Sequence, residues 1–302
     1  MPWLQLRIES NRQQAEAIED ALLAAGAVSV TLEDSADQPI LEPALGETPL
    51  WNETRITGLF DAEIDTEQAA ATAAAEFGHE LPQHRWELLE DKDWERAWMD
   101  SFKPMSFGQR LWICPSWKEP PQPDAANLML DPGLAFGTGT HPTTALCLKW
   151  LDQQDLANKT VVDYGCGSGI LGIAALLLGA KKVIAVDNDP QALIATQDNA
   201  QRNKIPSSQI STYLPQQAPK TLEADLVVAN ILAGPLAELE PVLAKLCRPE
   251  GDIILSGILS NQAKTLIDHY QQSFQMDETA LDEDWVRLHG KRLGKLRHES
   301  QS

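Results

Sequence analysis

The residues best placed to do chemistry in this 302-residue chain are three glycines and a few polar side chains around them. In Asp163-Tyr-Gly-Cys-Gly-Ser-Gly169 an acid precedes Gly165, Gly167 and Gly169, which stand at alternate positions. Glycines so spaced let a ligand approach bare backbone whose N–H groups point outward. A dinucleotide fingerprint, G-x-G-x-x-G, would need its third glycine at position 170, which is Ile170. The pattern here, Asp-x-Gly-x-Gly-x-Gly, is the form typical of enzymes that bind S-adenosyl-L-methionine (AdoMet), where the turn packs against a methionine and a ribose. Asp187 follows roughly 20 residues on, at the end of Lys182-Val-Ile-Ala-Val186. A carboxylate there can accept two hydrogen bonds from a ribose diol. Asp163, Gly165, Gly167 and Asp187 are therefore candidate cofactor-binding residues; the plain alternative is an ordinary α/β turn with an unrelated acid nearby.

A second centre is Asn230-Ile-Leu-Ala233, which stands where many amino-methylating enzymes carry Asn/Asp-Pro-Pro-aromatic. An amide oxygen with a neighbouring backbone carbonyl can accept hydrogen bonds from an amine and aim its lone pair at a methyl donor. Methyl transfer is an in-line displacement, so alignment supplies much of the acceleration. The amine must be neutral, and entry into a poorly hydrated site lowers a lysine pKa without a dedicated base. The absence of a stacking ring argues for an aliphatic amine over a planar base or amide. Asn230 is the candidate catalytic residue, against the reading that it merely ends a strand. The third centre is Asp131-Pro-Gly-Leu-Ala-Phe-Gly-Thr-Gly-Thr-His-Pro-Thr-Thr144, a loop entering a helix. Gly133, Gly137 and Gly139 let it fold over a ligand, Thr140 is suited to cap the helix and Pro142 to its first turn. Thr143 and Thr144 offer hydroxyls to a carboxylate or ribose. His141, a loop residue beside a cap, reads as structural before it reads as catalytic.

The elements that must hold these residues alternate. Val161 and Val162 suit a buried parallel strand, and Ile170–Leu178 a buried helix stopped by Gly179. Asp189-Pro opens a helix to about Arg202. Strands follow at 209–214, 224–230 and 252–255, with helices at 235–246 and 262–274. Trp285–Leu288 is a terminal strand suited to be half of an antiparallel pair. This predicts a Rossmann-like, doubly wound α/β sheet of the class I methyltransferase kind, with Asp163, Asp187 and Asn230 at its carboxyl edge. Upstream, strands at 3–8, 28–32, 55–60 and 85–89 and helices at 11–25 and 66–77 predict a ferredoxin-like α+β domain. A short strand is expected at 38–42. The predicted organisation is a domain over 1–90, a linker helix over 91–103 and a catalytic domain over 104–302. Trp94, Trp98 and Phe102 recur every fourth residue of the linker and read as packing residues. The tail from Gly290 reads as a solvated basic end.

Bulk composition, 43% hydrophobic and 23% charged, is that of a globular protein with room for two cores. No apolar run is long enough to span a bilayer, and Met1-Pro-Trp-Leu-Gln-Leu-Arg lacks a signal peptide's basic and apolar regions. The four cysteines are scattered, which predicts neither a disulfide framework nor a metal site and fits a cytoplasmic location. A net charge of −20 disfavours free nucleic acid and favours a basic protein as partner, unless it serves solubility alone. No membrane partner is expected, and a monomer is.

The blocks Leu111-Trp-Ile-Cys-Pro-Ser-Trp117, 131–144, Val162-Asp-Tyr-Gly-Cys-Gly-Ser-Gly-Ile170 and Asn230-Ile-Leu-Ala-Gly-Pro-Leu236 resemble the PrmA family, bacterial methyltransferases of large-subunit ribosomal protein eleven. The likeness also takes in the opening Met-Pro-Trp and the segment Asp93-Trp-Glu-Arg96. The resemblance implies methyl transfer from AdoMet to the α-amine and lysine ε-amines of that protein, up to the trimethylated state. It implies that Thr144, Gly165, Asp187 and Asn230 contact AdoMet, and that the first domain binds the protein substrate and moves on the linker. Two other readings stand beside it: an AdoMet-dependent methyltransferase of another amine, amide or base, and a non-catalytic ribosome-assembly binder that keeps AdoMet as a structural ligand.

Overall fold

The computed structural model describes residues 2–36, 49–89, 102–131, 139, 141–219 and 221–294. The chain divides into two units, Met1–Asp100 and Ser101–Ser302. The strand expected at 38–42 lies outside the described residues, as does nearly all of the linker helix with Trp94 and Trp98.

In the first unit the order is β1 (Trp3–Asn11), α1 (Arg12–Ala24), β2 (Ser29–Asp34), β3 (Glu53–Asp61), α2 (Thr66–Phe77) and β4 (His84–Leu89). The strands form one antiparallel sheet ordered β2-β3-β1-β4, the ferredoxin-like arrangement. Period-two alternation puts Leu6 and Ile8 of β1 and Ile56 and Phe60 of β3 on one face, all fully buried. That face meets Ala15, Ile18, Ala21 and Leu22 of α1 and Ala69 and Ala73 of α2. Both helices start where a side chain can cap them: Asn11 accepts from the N–H groups of Gln13 and Gln14, and Asp65 from those of Glu67 and Gln68.

The second unit opens with a small sheet of β5 (Met105–Ser106), β6 (Leu111–Cys114) and β7 (Ala126–Met129). It is fastened to α3 (Pro142–Gln153) through buried Asp152, whose carboxylate accepts the N–H groups of Gln109 and Arg110, both at 2.8 Å. Then come β8 (Thr160–Tyr164), α4 (Ile170–Leu177), β9 (Lys182–Val186), α5 (Pro190–Arg202), β10 (Ile210–Tyr213), β11 (Ala224–Asn230), α6 (Ala233–Leu246), β12 (Cys247–Leu259), α7 (Ser260–Tyr270), β13 (Phe274–Asp282) and β14 (Trp285–Arg292). The seven strands are ordered β10-β9-β8-β11-β12-β14-β13, parallel except for β14. Neighbouring residues serve opposite layers: Val161 and Val183 face the core of α3, α4 and α5, while Val162 and Ile184 face that of α6 and α7. The predicted doubly wound α/β sheet is present.

Three expectations are corrected. The last helix ends at Tyr270, so the segment from Phe274 is a strand, and it is the antiparallel partner of the terminal one. Phe-Gln-Met-Asp-Glu-Thr-Ala-Leu-Asp carries few apolar residues because an edge strand needs only one buried side, and Phe274 supplies much of it. The basic segment is not simply a solvated end. Lys291 and Arg292 belong to β14, where Lys291 meets Asp252 and Arg292 donates to the carbonyls of Ala244 and Ser273; residues 295–302 lie outside the described ones. Finally, the cap of α3 falls on His141, one residue after the expected Thr140, itself outside the described residues.

Candidate active site

The glycine turn lies between β8 and α4. Gly165, Gly167 and Gly169 have φ of 76°, 53° and 78°, the left-handed region that disfavours a side chain. Gly169 is the N-cap of α4 and has no side chain to offer the helix N–H groups. Asp163 does this from β8: its Oδ2 accepts Gly172 N–H at 2.8 Å. Burial pushes the Asp163 carboxyl up to about 7, opposed by that N–H and reinforced by the charge of Asp187. Asp163 is thus enclosed and acts on the turn from within.

Asp187, half-buried just past β9, accepts from Gly167 N–H at 2.9 Å with one oxygen and from Asp189 N–H at 3.0 Å with the other. The turn is tied back on its carbonyl side as well. Thr196 Oγ1 donates to Gly167 O at 3.1 Å, and Asn199 Nδ2 to Ser168 O at 2.9 Å. Both come from α5 and are buried. Sequence reasoning missed them; two polar residues on the inner face of an otherwise amphipathic helix were the signal that could have found them. The residues fit AdoMet on two observations: three left-handed glycines that let a ligand come close against the main chain, and a carboxylate set against the turn for a diol. The turn's own N–H groups are largely spent within the protein, those of Gly165 and Cys166 on the Val186 carbonyl, that of Gly169 on the Cys166 carbonyl and that of Gly167 on Asp187, so they do not point outward to a ligand as the glycine spacing suggested.

Asn230 ends β11 beside this turn. Its Nδ2 donates to Thr144 Oγ1 at 3.1 Å, bringing together two residues 86 positions apart. Thr144 is fully buried in the first turn of α3. Spending Nδ2 on Thr144 leaves Oδ1 as the acceptor. The turn and this corner touch: a Cβ on Gly165 would stand 2.3 Å from Ile231 Cγ2. Leu232, next along, is half exposed. The six residues singled out from the sequence, Asp163, Gly165, Gly167, Asp187, Thr144 and Asn230, therefore fall into two contiguous clusters on the same sheet edge.

His141 Nδ1 accepts Thr143 N–H at 3.3 Å and lies 2.8 Å from Thr143 Oγ1, while its ring meets Trp285 edge-on at 4.9 Å. Burial holds its pKa below the ordinary value, with Glu283 pulling the other way. A neutral imidazole acting as a cap accounts for this geometry, as the structural reading expected. At the other end of the preceding loop, Asp131 accepts from Ser116 N–H and Oγ at 2.7 and 2.8 Å. Residues 132–138, including Gly133 and Gly137, lie outside the described ones. Among the described residues no cluster of three or more His, Cys, Asp or Glu could hold a metal ion, and no helix is long and apolar enough to cross a membrane.

Counted from the glycine-turn strand, the sheet order is 3-2-1-4-5-7-6 with only the seventh strand reversed. With the turn after the first strand and an acid after the second, this defines a class I AdoMet-dependent methyltransferase. The family described as Ribosomal protein L11 methyltransferase (PrmA) matches residues 2–293. The ribosomal protein L11 methyltransferase of Cellvibrio japonicus is 63% identical over 288 residues, which are 95% of this chain and 98% of that protein. That of Saccharophagus degradans is 56% identical over 290 residues, 96% and 99% of the two chains. A crystal structure of ribosomal protein L11 methylase from Lactobacillus delbrueckii subsp. bulgaricus matches with a TM-score of 0.57 and 35% identity, over 64% of this chain and 100% of that one. The chain belongs to the ribosomal protein L11 methyltransferase (PrmA) family.

Proposed function

We propose that this protein transfers methyl groups from AdoMet to amines of ribosomal protein L11, namely the N-terminal α-amine and lysine ε-amines, to the trimethylated state. The observation that carries the reading is the Asn230 corner: an amide whose Nδ2 is held by Thr144, leaving Oδ1 to accept from an amine, beside the glycine turn and followed by aliphatic Ile231 and Leu232. The cofactor supplies an electrophilic methyl on a sulfonium when bound. Gly165, Gly167 and Asp187 would hold it, with Thr144 and Asn230 at its reacting end, and Asp163 would act by fixing the turn. The chain's own chemical task is then to bring in a neutral nitrogen and align it. Leu232 offers apolar surface to a lysine's methylene stem, and partial dehydration there disfavours the ammonium form.

A domain over 1–90 would recognise the protein substrate, with 91–103 as the linker and 104–302 as the catalytic domain. The net charge of −20 suits a basic ribosomal protein better than free nucleic acid. A monomeric, cytoplasmic enzyme without a membrane partner completes the reading. The test is intact-mass analysis of purified ribosomal protein L11 after incubation with AdoMet and this protein. Mass gain in whole methyl increments, mapping to the α-amine and to lysines, is expected. AdoMet binding without any mass gain would instead favour a non-catalytic assembly factor, and mass gain only on another amine or an amide would reassign the substrate.

A further inference from the structure

Ser256 is fully buried among apolar neighbours of β12, with Ile254, Leu255 and Ile258 equally enclosed. A buried hydroxyl is unfavourable in such surroundings unless it is used. Its Oγ lies 3.0 Å from the carbonyl of Thr143 and 3.4 Å from that of Val286. The buried Cys147 thiol also contacts it. Thr143 O belongs to the first turn of α3, where the helix itself supplies a donor four residues on. The bond from Ser256 is therefore not needed to satisfy an orphan carbonyl. What it fixes is where that turn lies.

The main chain of Ser256 holds the other side of the same corner. Ser256 sits in register with Asn230, and its carbonyl accepts Ile231 N–H at 3.1 Å. The next residue, Gly257, has φ of 84°, and a Cβ there would stand 2.4 Å from Ile231 O. The pairing of β12 with β14 slips at this point, between Leu255 and Ile258. Bulges of this kind re-aim a side chain relative to the sheet. A closed circuit results: Asn230 holds Thr144, the adjoining Thr143 is held by Ser256, and Ser256 holds Ile231, which adjoins Asn230.

We infer that Ser256 is a positioning residue for methyl transfer: by fixing the Thr143–Thr144 turn against Asn230–Ile231, it sets the direction of the Asn230 amide oxygen. This rests on the reading of Asn230 as the amine acceptor given above. Misplacing a reacting group by about 1 Å can cost about 100-fold in rate, so loss of the hydroxyl should act on turnover and spare binding.

The experiment is a set of variants assayed on ribosomal protein L11 with AdoMet. Ser256→Ala should lower kcat by about tenfold to 100-fold, with KM for the protein and the AdoMet Kd changed by less than about twofold, since neither ligand-holding cluster loses a group. Ser256→Cys, of similar size and with a weak donor, should recover part of the loss. Thr144→Val removes the next link in the same circuit, so Ser256→Ala with Thr144→Val should be little worse than the poorer single variant. Wild-type kcat in Ser256→Ala, equal losses in kcat and in both affinities, or fully additive losses in the double variant would each overturn the inference. Asn230→Ala, run in parallel, separates the two levels. If it loses turnover while Ser256→Ala does not, only the role of Ser256 fails; if Asn230→Ala turns over normally, the acceptor reading fails and Ser256 with it.

Discussion

At the donor end of the site the shape is set by backbone conformation: three left-handed glycines within five residues, held by Asp163 of β8, Asp187 just past β9, and the Thr196 hydroxyl and Asn199 amide of α5. At the acceptor end the shape is set by side chains that arrive from far along the sequence, with Asn230, Thr144 and Ser256 lying on β11, α3 and β12. A backbone cradle suits a cofactor of constant form. An assembled corner suits a reacting group whose direction must be tuned, because each contributing element can be altered without rebuilding the others. The two ends lie close together at Gly165 and Ile231, and that is where the contrast is most easily broken.

Gly165→Ala should have the largest effect. The left-handed backbone disfavours an L-residue by about 1–2 kcal/mol, and overpacking typically adds about 1–3 kcal/mol. The clash at 2.3 Å falls on Ile231 Cγ2, at the branch point of a stiff side chain with little room to swing away. In a unit of this size the sum corresponds to a fall in Tm of about 5–15 °C, read by calorimetry or circular dichroism. Gly165→Ala with Ile231→Ala should recover part of it. A variant as stable as the parent would mean the two ends are mechanically independent.

The same contrast explains what could be read from the sequence. The donor end was legible because its elements are local: glycine spacing, the acid before it and the acid after the next strand are patterns within about 30 residues. Asn230 and Thr144 could be nominated separately, one from a strand end and one from a helix start, but nothing in the chain announced that they meet. Ser256 gave no signal, since a serine inside Ile-Ile-Leu-Ser-Gly-Ile reads as an ordinary strand residue. The edge strand at 274–282 is hidden for a related reason, its short apolar pattern running on from a genuine helix, and a hydroxyl at Thr140 fits the usual capping ranking, which does not point to an imidazole one residue on.

Asp187→Ala comes next and sharpens the contrast by striking the donor end alone. Two charge-assisted hydrogen bonds to a diol would be lost, and Gly167 N–H would lose its acceptor as well. AdoMet affinity should fall by about tenfold to 100-fold, taking about 1.4 kcal/mol per tenfold, measured by titration calorimetry. Binding of ribosomal protein L11 should be unaffected. An unchanged AdoMet Kd would remove the ribose role from Asp187, and a parallel loss of protein binding would show that the two ends are not separable.

The smallest effects concern pH, and there the two ends should respond with opposite signs. Asp163, with its folded pKa raised to about 7 from an ordinary value of 3.8, favours the fold most when protonated. Its contribution is complete below 3.8 and is lost as pH rises through about 7. His141 has a folded pKa below its ordinary 6.5, because burial disfavours the imidazolium and protonated Nδ1 could not accept Thr143 N–H. Its contribution is complete above 6.5 and is lost as pH falls through the depressed value. Each is one ionisation set among 44 acids and 24 bases, so neither dominates the whole curve. Comparison with variants isolates them. Asp163→Asn keeps an acceptor for Gly172 N–H without the charge, so its Tm should gain on the parent's between pH 5 and 8. His141→Asn keeps a capping oxygen without the titration, so its Tm should gain on the parent's as pH falls from 7 to 5. Differences from the parent that are constant across pH in either variant would show that the group concerned does not couple to folding. Differences of the same sign of slope in both would mean that the two ends titrate as one network, contrary to their separate construction.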